Sequence, residues 1–204
     1  MCGIFAYFGP NSEDYSSKSS IEKLEKHLSK RGRDSFDFHK DENHFLSHSR
    51  LAIYDTTRNS QQPFFSECKN YQLIFNGSIY NFEYLKKNYL SNSKFRTNGD
   101  TEVLLQGLIE YKSSFIKYLR GSWSFVFIDK KNRDVIVSRD TFGEKPLYYK
   151  FDNNELIFSS SLFAILDFQS SMEIEYENFQ RYLIYGLSRN GLDTFAKGIK
   201  VFGP

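Results

Sequence analysis

The sequence predicts an α+β fold in which helices pack on antiparallel sheets in one domain. Helical periodicities and β-rich runs come in groups instead of alternating strictly, the later β runs are short and divided by turn residues, and 204 residues suffice to bury one core. Residues 2–8, Cys-Gly-Ile-Phe-Ala-Tyr-Phe, form a short apolar run stopped by Gly9-Pro10, the pattern of a buried strand. Ser19-Ser20 precede Ile21, Leu24 and Leu28, whose spacing predicts a helix over 20–30 that ends near Arg31-Gly32. Phe45–Tyr54 and Tyr71–Phe75 are β-rich, and the second leads into Asn76-Gly77, a pair that predicts a tight turn with Gly at positive φ.

Phe82–Tyr89 reads as a short helix, and Asp100-Thr101 read as the cap of a clearer one in which Val103, Leu104, Leu108 and Tyr111 share a face. Trp123–Ile128, Val135–Ser138, Leu147–Phe151 and Leu156–Ser159 are short β runs separated by turn-rich segments, and they predict an antiparallel meander. A last helix is expected over Tyr176–Tyr185, with irregular chain from there to Pro204.

Composition excludes several classes of function. A net charge of +2 leaves no polybasic arm for nucleic acid and no acidic tail. No run approaches the roughly 18 apolar residues of a membrane helix, and the N-terminus lacks the basic start of a signal peptide, so no membrane partner and a cytoplasmic location are expected. Two cysteines, Cys2 and Cys68, cannot form a disulfide framework or a zinc site of the usual Cys/His spacing. Thr141–Lys145 lacks the glycine spacing of a nucleotide loop, so no ATP, metal or flavin is assigned to this chain.

The chemistry centres on Cys2. Removal of Met1 would place a thiol and a free α-amine on one residue, and an amine with a reference pKa of about 7.7–8.0 can serve as the base for its own nucleophile. The ordinary alternative is a small residue that happens to follow the initiator. Arg50 offers a planar fork suited to a carboxylate, against the alternative of a surface ion pair. Asn76-Gly77 brings a side-chain NH2 and a backbone N–H close together, the two donors an oxyanion needs, against the alternative of a hairpin turn. Asp100 could accept from a substrate ammonium or simply cap its helix.

Seven segments in order over nearly the whole chain then carry a resemblance: Met-Cys-Gly-Ile at 1–4, Arg-Gly-x-Asp-Ser at 31–35, His-x-Arg-Leu-x-Ile at 48–53, Asn-Gly-x-Ile-Tyr-Asn at 76–81, Asp-Thr-Glu-Val-Leu at 100–104, Gly-x-x-x-Phe at 121–125 and Arg-Asp-x-Phe-Gly-x-Lys-Pro-Leu-Tyr-Tyr at 139–149. The sequence resembles the glutamine amidotransferase domains that begin with cysteine, and especially the N-terminal domain of glutamine-hydrolysing asparagine synthetases, a branch the last segment favours. The resemblance implies the four-layer αββα sandwich of N-terminal nucleophile hydrolases, with two antiparallel sheets. It also implies L-glutamine as substrate, Cys2 as nucleophile, Asn76 and Gly77 as oxyanion hole, Arg50 on the α-carboxylate, Asp100 on the α-ammonium, and backbone groups of Leu51, Ile53 and Ser78 in the pocket.

The resemblance further implies an amidotransferase domain over 1–190 and, over 191–204, the start of a connection to an ATP-dependent synthetase domain in cis or in trans. ATP and Mg belong to that second domain, and no cofactor is expected in this one. A homodimer is left open. Three positions depart from the family pattern: Ser78 stands where Glu is usual, Arg33 where Pro is usual, and Ser160-Ser161 where the pair reads Ser-Glu. Two other functions stay open on the same scaffold, an N-terminal nucleophile amidase for a different amide and a non-catalytic docking or regulatory module.

Overall fold

A computed structural model describes residues 1–169, 172–186 and 191–204. Its strands are β1 (Gly3–Phe8), β2 (Ser35–Lys40), β3 (His44–Arg50), β4 (Phe64–Phe65), β5 (Tyr71–Ile79), β6 (Gly121–Asp129), β7 (Asp134–Arg139), β8 (Tyr148–Asp152), β9 (Glu155–Ser159) and β10 (Ile199–Val201). The helices are α1 (Lys18–Leu28), α2 (Phe82–Asn88), α3 (Asp100–Tyr111), α4 (Leu162–Leu166) and α5 (Tyr176–Tyr185). One sheet has the order β10-β8-β9-β1-β3-β2 and the other β4-β5-β6-β7. Every strand pairing in both is antiparallel.

Strand periodicity turns these two sheets into a layered sandwich, because successive side chains on a strand point to opposite faces. On β1, Phe5 and Tyr7 pack outward with Leu24 and Leu28 of α1 and Ala164 and Ile165 of α4. The alternate residues Ile4 and Ala6 point inward, where Leu46 of β3, Ile74 of β5, Val126 and Ile128 of β6 and Phe158 of β9 fill the space between the sheets. On β5, Leu73, Phe75 and Ile79 face the other way and pack with Leu85 of α2 and Val103, Leu104, Leu105 and Leu108 of α3. Three buried apolar layers therefore separate four layers of secondary structure, the α+β, two-sheet arrangement expected.

Several local expectations change. Asn76-Gly77 is not a turn: β5 runs unbroken through it, with Asn76 opposite Ser124 and Gly77 opposite Trp123. A Cβ on Gly77 would lie 2.4 Å from the Ser122 carbonyl oxygen, so glycine is required there by close approach of the neighbouring strand. The expected meander is divided between the sheets: β6 and β7 pair in one, β8 and β9 in the other. The crossing segment between them is held from inside. Asp140 accepts from the N–H groups of Glu144 at 2.9 Å and Lys145 at 3.0 Å, while Arg139 donates to the Lys145 carbonyl at 2.7 Å and the Phe202 carbonyl at 2.8 Å. The β run expected over Phe45–Tyr54 stops at Arg50. The end of the chain expected to be irregular contributes β10, which pairs with β8. Among the described residues no helix is long and apolar enough to cross a membrane.

Ile74 is fully buried in the apolar layer between the sheets. Ile74→Ala is expected to cost about 2–5 kcal/mol of stability and Ile74→Val about 0.5–1.5 kcal/mol, read from urea unfolding. Equal losses for the two would show that the inter-sheet layer is not close-packed.

Candidate functional site

The inward-facing set that builds the core also builds the site. Cys2 precedes β1 by one residue and shares the inward parity of Ile4 and Ala6. Across β3 the same parity belongs to Leu46, His48 and Arg50, and across β5 to Ile74, Asn76 and Ser78. Apolar residues occupy the middle of the gap, and polar residues collect at the end where β1 begins and β3 and β5 finish.

A narrow cleft opens at that end. It is lined by Cys2, Arg50, Leu51, Ile53, Tyr54, Asp55, Gln62, Phe75, Gly77 and Asp100, among others. The structure thus brings together six of the positions singled out in the sequence: Cys2, Arg50, Leu51, Ile53, Gly77 and Asp100. The Leu51 N–H points at the Cys2 sulfur, 3.4 Å away, and Arg31 Nε donates to the Cys2 carbonyl at 3.1 Å. Burial pushes the Cys2 thiol above its usual range, although the Leu51 N–H and the nearby Arg50 charge oppose the shift. The thiol is therefore protonated at neutral pH and needs a base to become a nucleophile.

Arg50 is largely buried at the end of β3. Its Nη1 donates to the Thr57 carbonyl at 2.8 Å and its Nη2 to the Asp55 carbonyl, so it also shapes the irregular segment 51–57. Asp34 helps, its carboxylate accepting from the Ala52 N–H at 2.7 Å. The guanidinium carries five N–H donors, so two bonds to this segment leave further donors in the fork. Ile53 is exposed on the segment, and Tyr54 is tied back to β5 by a 2.8 Å bond between its hydroxyl and Ser78 Oγ.

The edge of β5 explains how Gly77 and Asp100 enter. In an antiparallel strand the N–H groups of residues 75, 77 and 79 point to the same side. That side is not covered by β4, which pairs only with Leu73 and Gln72. The Phe75 N–H donates to Gln62 Oε1 at 2.7 Å and the Ile79 N–H to Asp100 Oδ2 at 2.8 Å. Between them the Gly77 N–H points along the same edge, and Gly77 lines the cleft.

Asp100 is the first residue of α3, and Gly99 holds the N-cap position with no side-chain cap bond. The Asp100 carboxylate bridges α3 to β5 while also accepting from the first N–H groups of its own helix. Burial raises it to about 6, against which the Ile79 N–H and the first N–H groups of its own helix act more weakly. The Asn76 side chain lies deeper, fully buried, with Nδ2 3.4 Å from Ser124 Oγ and Oδ1 unpartnered.

Tyr54, Asp55 and Gln62 belong to the cleft but carried no signal in the sequence, because each is placed by long-range pairing. Arg31 and Asp34 stood inside the Arg-Gly-x-Asp-Ser segment, which marked the region without giving it a role. At the other end of β3, His39, Asp41 and His44 bring possible metal-ligating atoms within 4.8 Å of one another. There Asp41 is taken by Lys130 at 2.5 Å and His44 by Gln72 at 2.8 Å, which makes this a hydrogen-bonded hairpin corner remote from Cys2. Cys68 is exposed on a turn.

The profile described as "Glutamine amidotransferase domain" matches residues 1–204. Asparagine synthetase [glutamine-hydrolyzing] 2 of Oryza sativa subsp. japonica is 37% identical over 168 residues, covering 82% of this chain and 28% of that protein. Asparagine synthetase [glutamine-hydrolyzing] 1 of Bacillus subtilis (strain 168) is 33% identical over 188 residues, covering 91% of this chain and 30% of that protein. The chain therefore spans less than a third of the length of these relatives. Among solved structures, the glutamine phosphoribosylpyrophosphate amidotransferase of B. subtilis superposes on 80% of this chain and 43% of its own with a TM-score of 0.62 at 22% identity, a likeness of fold.

The sign of the Asp100 effect on stability follows from its direction. Its carboxyl rises from an ordinary 3.8 to about 6 on folding, so ionising it costs stability progressively as pH climbs through that window, and the cost is complete above it. Asp100→Asn, which keeps an oxygen for the Ile79 N–H, is expected to gain stability relative to the unsubstituted chain between pH 4 and pH 7. Urea unfolding across that range measures it; a difference independent of pH would refute the shift.

Proposed function

The chain belongs to the glutamine amidotransferase domain family, and from that premise we propose that it hydrolyses L-glutamine to glutamate and ammonia at the Cys2 cleft. The observation that carries the proposal is the meeting, in one cleft, of a half-buried thiol with a guanidinium, a carboxylate and an unpaired-edge N–H, all on different elements. In this reading Arg50 receives the α-carboxylate and Asp100 the α-ammonium, so the side-chain amide of glutamine is presented to Cys2. Two charged anchors for an amino-acid head group favour glutamine over an amide without one.

The chemistry needs Met1 removed, so that Cys2 carries the free α-amine. That amine takes the thiol proton, the sulfur adds to the amide carbon, and the oxyanion forms against Asn76 Nδ2 and the Gly77 N–H. The ammonium returns its proton to the leaving nitrogen, the C–N bond breaks, and ammonia departs from a thioester. Water then adds to the thioester and releases glutamate and the thiol. Backbone groups of Leu51, Ile53 and Ser78 complete the pocket, the Leu51 N–H holding the sulfur. Ser78 also anchors Tyr54, a task the Glu usual at that position would perform differently.

The ammonia is destined for an ATP-dependent synthetase domain, in cis or in trans, of the kind that makes up the remainder of the asparagine synthetases; ATP and Mg act there. A free catalytic thiol is suited to a reducing compartment such as the cytoplasm, which supports the reading of a cytoplasmic protein.

Incubating the Met1-processed protein with glutamine should yield glutamate, and Cys2→Ala should abolish it without changing the unfolding midpoint. Asn76→Ala should lower kcat about 10²–10³-fold, as loss of one oxyanion donor does. No turnover by the processed chain, together with no labelling of Cys2 by a glutamine-like electrophile, would sink the proposal. The KM for glutamine should rise as pH falls below about 6, where Asp100 loses the charge that pairs with the ammonium. A KM flat from pH 5 to 8 would remove Asp100 from substrate binding.

A further inference from the structure

We propose that Gln62 is a positioning residue for the oxyanion hole: its carboxamide stands in for a missing strand residue and fixes the peptide that leads into Asn76 and Gly77. The inference rests on the glutaminase reading above and adds to it a residue outside the nucleophile, the head-group anchors and the oxyanion donors.

The register of β4 on β5 carries the argument. Phe64 lies opposite Leu73, and the same pairing continued two residues back would set Gln62 opposite Phe75. At that position the pairing is made by a side chain. Gln62 Oε1 accepts from the Phe75 N–H at 2.7 Å, and Gln62 Nε2 donates to the Phe75 carbonyl at 3.3 Å. A carboxamide presents one acceptor and one donor side by side, the same pair that a backbone residue would present to the edge. Gln62 is 4% exposed, so both bonds are made out of water and an unmade partner would be costly.

The Phe75 carbonyl has a second lone pair, and His48 uses it. His48 Nε2 donates to it at 3.1 Å from the facing sheet. His48 sits on β3 opposite Ile4, two residues beyond Cys2. One carbonyl thus joins the strand that carries the oxyanion donors, the segment that carries Gln62, and the strand beside the nucleophile. The Phe75 peptide is the fixed point from which the Asn76 side chain is directed inward and the Gly77 N–H along the edge. If Gln62 releases it, both donors rotate relative to Cys2, whereas Arg50 and Asp100, held by other bonds, keep their places.

This predicts a split that a purely structural residue would not produce. Gln62→Glu keeps the acceptor for the Phe75 N–H but sets an oxygen against the Phe75 carbonyl; Gln62→Met keeps the shape and loses both bonds. In each variant kcat for glutamine should fall about 10- to 100-fold while KM changes less than about threefold. The γ-aldehyde of glutamate, which forms a tetrahedral adduct with the thiol, should lose affinity by the same factor as kcat, and the product glutamate should bind as before. Hydrogen exchange at the Phe75 amide, which Gln62 holds, and at the adjoining Asn76 amide reads the same fixation whether or not the chain turns glutamine over, and it should quicken about tenfold in both variants. Unchanged exchange in both variants, parallel losses of aldehyde and glutamate affinity, or failure of both to fold would each overturn the assignment. No glutamate released by the unsubstituted chain, together with the expected change in exchange in the variants, would instead count against the glutaminase reading.

Discussion

A strand edge buried without a neighbouring strand is the constraint on which this molecule depends. Backbone N–H groups taken from water must find acceptors, and in sheets other strands normally supply them. Beyond Leu73 the edge of β5 has no such neighbour, because β4 pairs only with Leu73 and Gln72. Gln62 serves Phe75, Asp100 serves Ile79, and the Gly77 N–H between them faces the cleft. The arrangement turns an incomplete sheet into a directed donor, and the close approach of Ser122 to Gly77 prevents any side chain from covering it.

Burial has the same effect on the two ionisable groups nearest this edge. Both the Cys2 thiol and the Asp100 carboxyl are displaced toward their neutral forms, chiefly by loss of water. Neither displacement helps the fold; a carboxyl ionised at neutral pH in a site that resists it is a cost. Sites that must hold reactive groups away from solvent commonly carry such costs, which the packed layers on either side offset. His48 shows the other outcome. Fully enclosed between the sheets, its ring is pushed down to about 3, stays neutral, and serves as a hydrogen-bond donor.

How far the sequence could be read depended on the range of the interaction that decides each feature. The apolar run before Gly9-Pro10, the spacing of Leu24 and Leu28, and the periodicity of Val103, Leu104 and Leu108 are local, and β1, α1 and α3 follow them. Asn76-Gly77 was misread because its local chemistry favours a turn, while nine consecutive pairs with β6 hold it extended. The division of β6 to β9 between two sheets was invisible for a related reason. A turn-rich segment looks the same whether it reverses within a sheet or crosses to another, and the Arg139 and Asp140 bonds that decide the matter reach across the chain. β2 escaped notice because Ser-Phe-Asp-Phe-His-Lys has only two apolar residues and lies at an edge. Cys2, Arg50, Gly77 and Asp100 could be named in advance because their chemistry is intrinsic. The family resemblance supplied their grouping, and no pattern in the sequence pointed to Gln62.

The central place of β1 in its sheet separates two timescales. Flanked by β9 on one side and β3 on the other, it sits where strand separation requires opening of the whole sandwich. The Cys2 sulfur lies one residue before this strand and is anchored by it. Segment 51–57, by contrast, belongs to no strand and is held by a handful of side-chain bonds from Arg50, Asp34 and Ser78. A molecule in the cleft therefore meets, on one side, a loop held by a few side-chain bonds and, on the other, a nucleophile anchored beside a central strand.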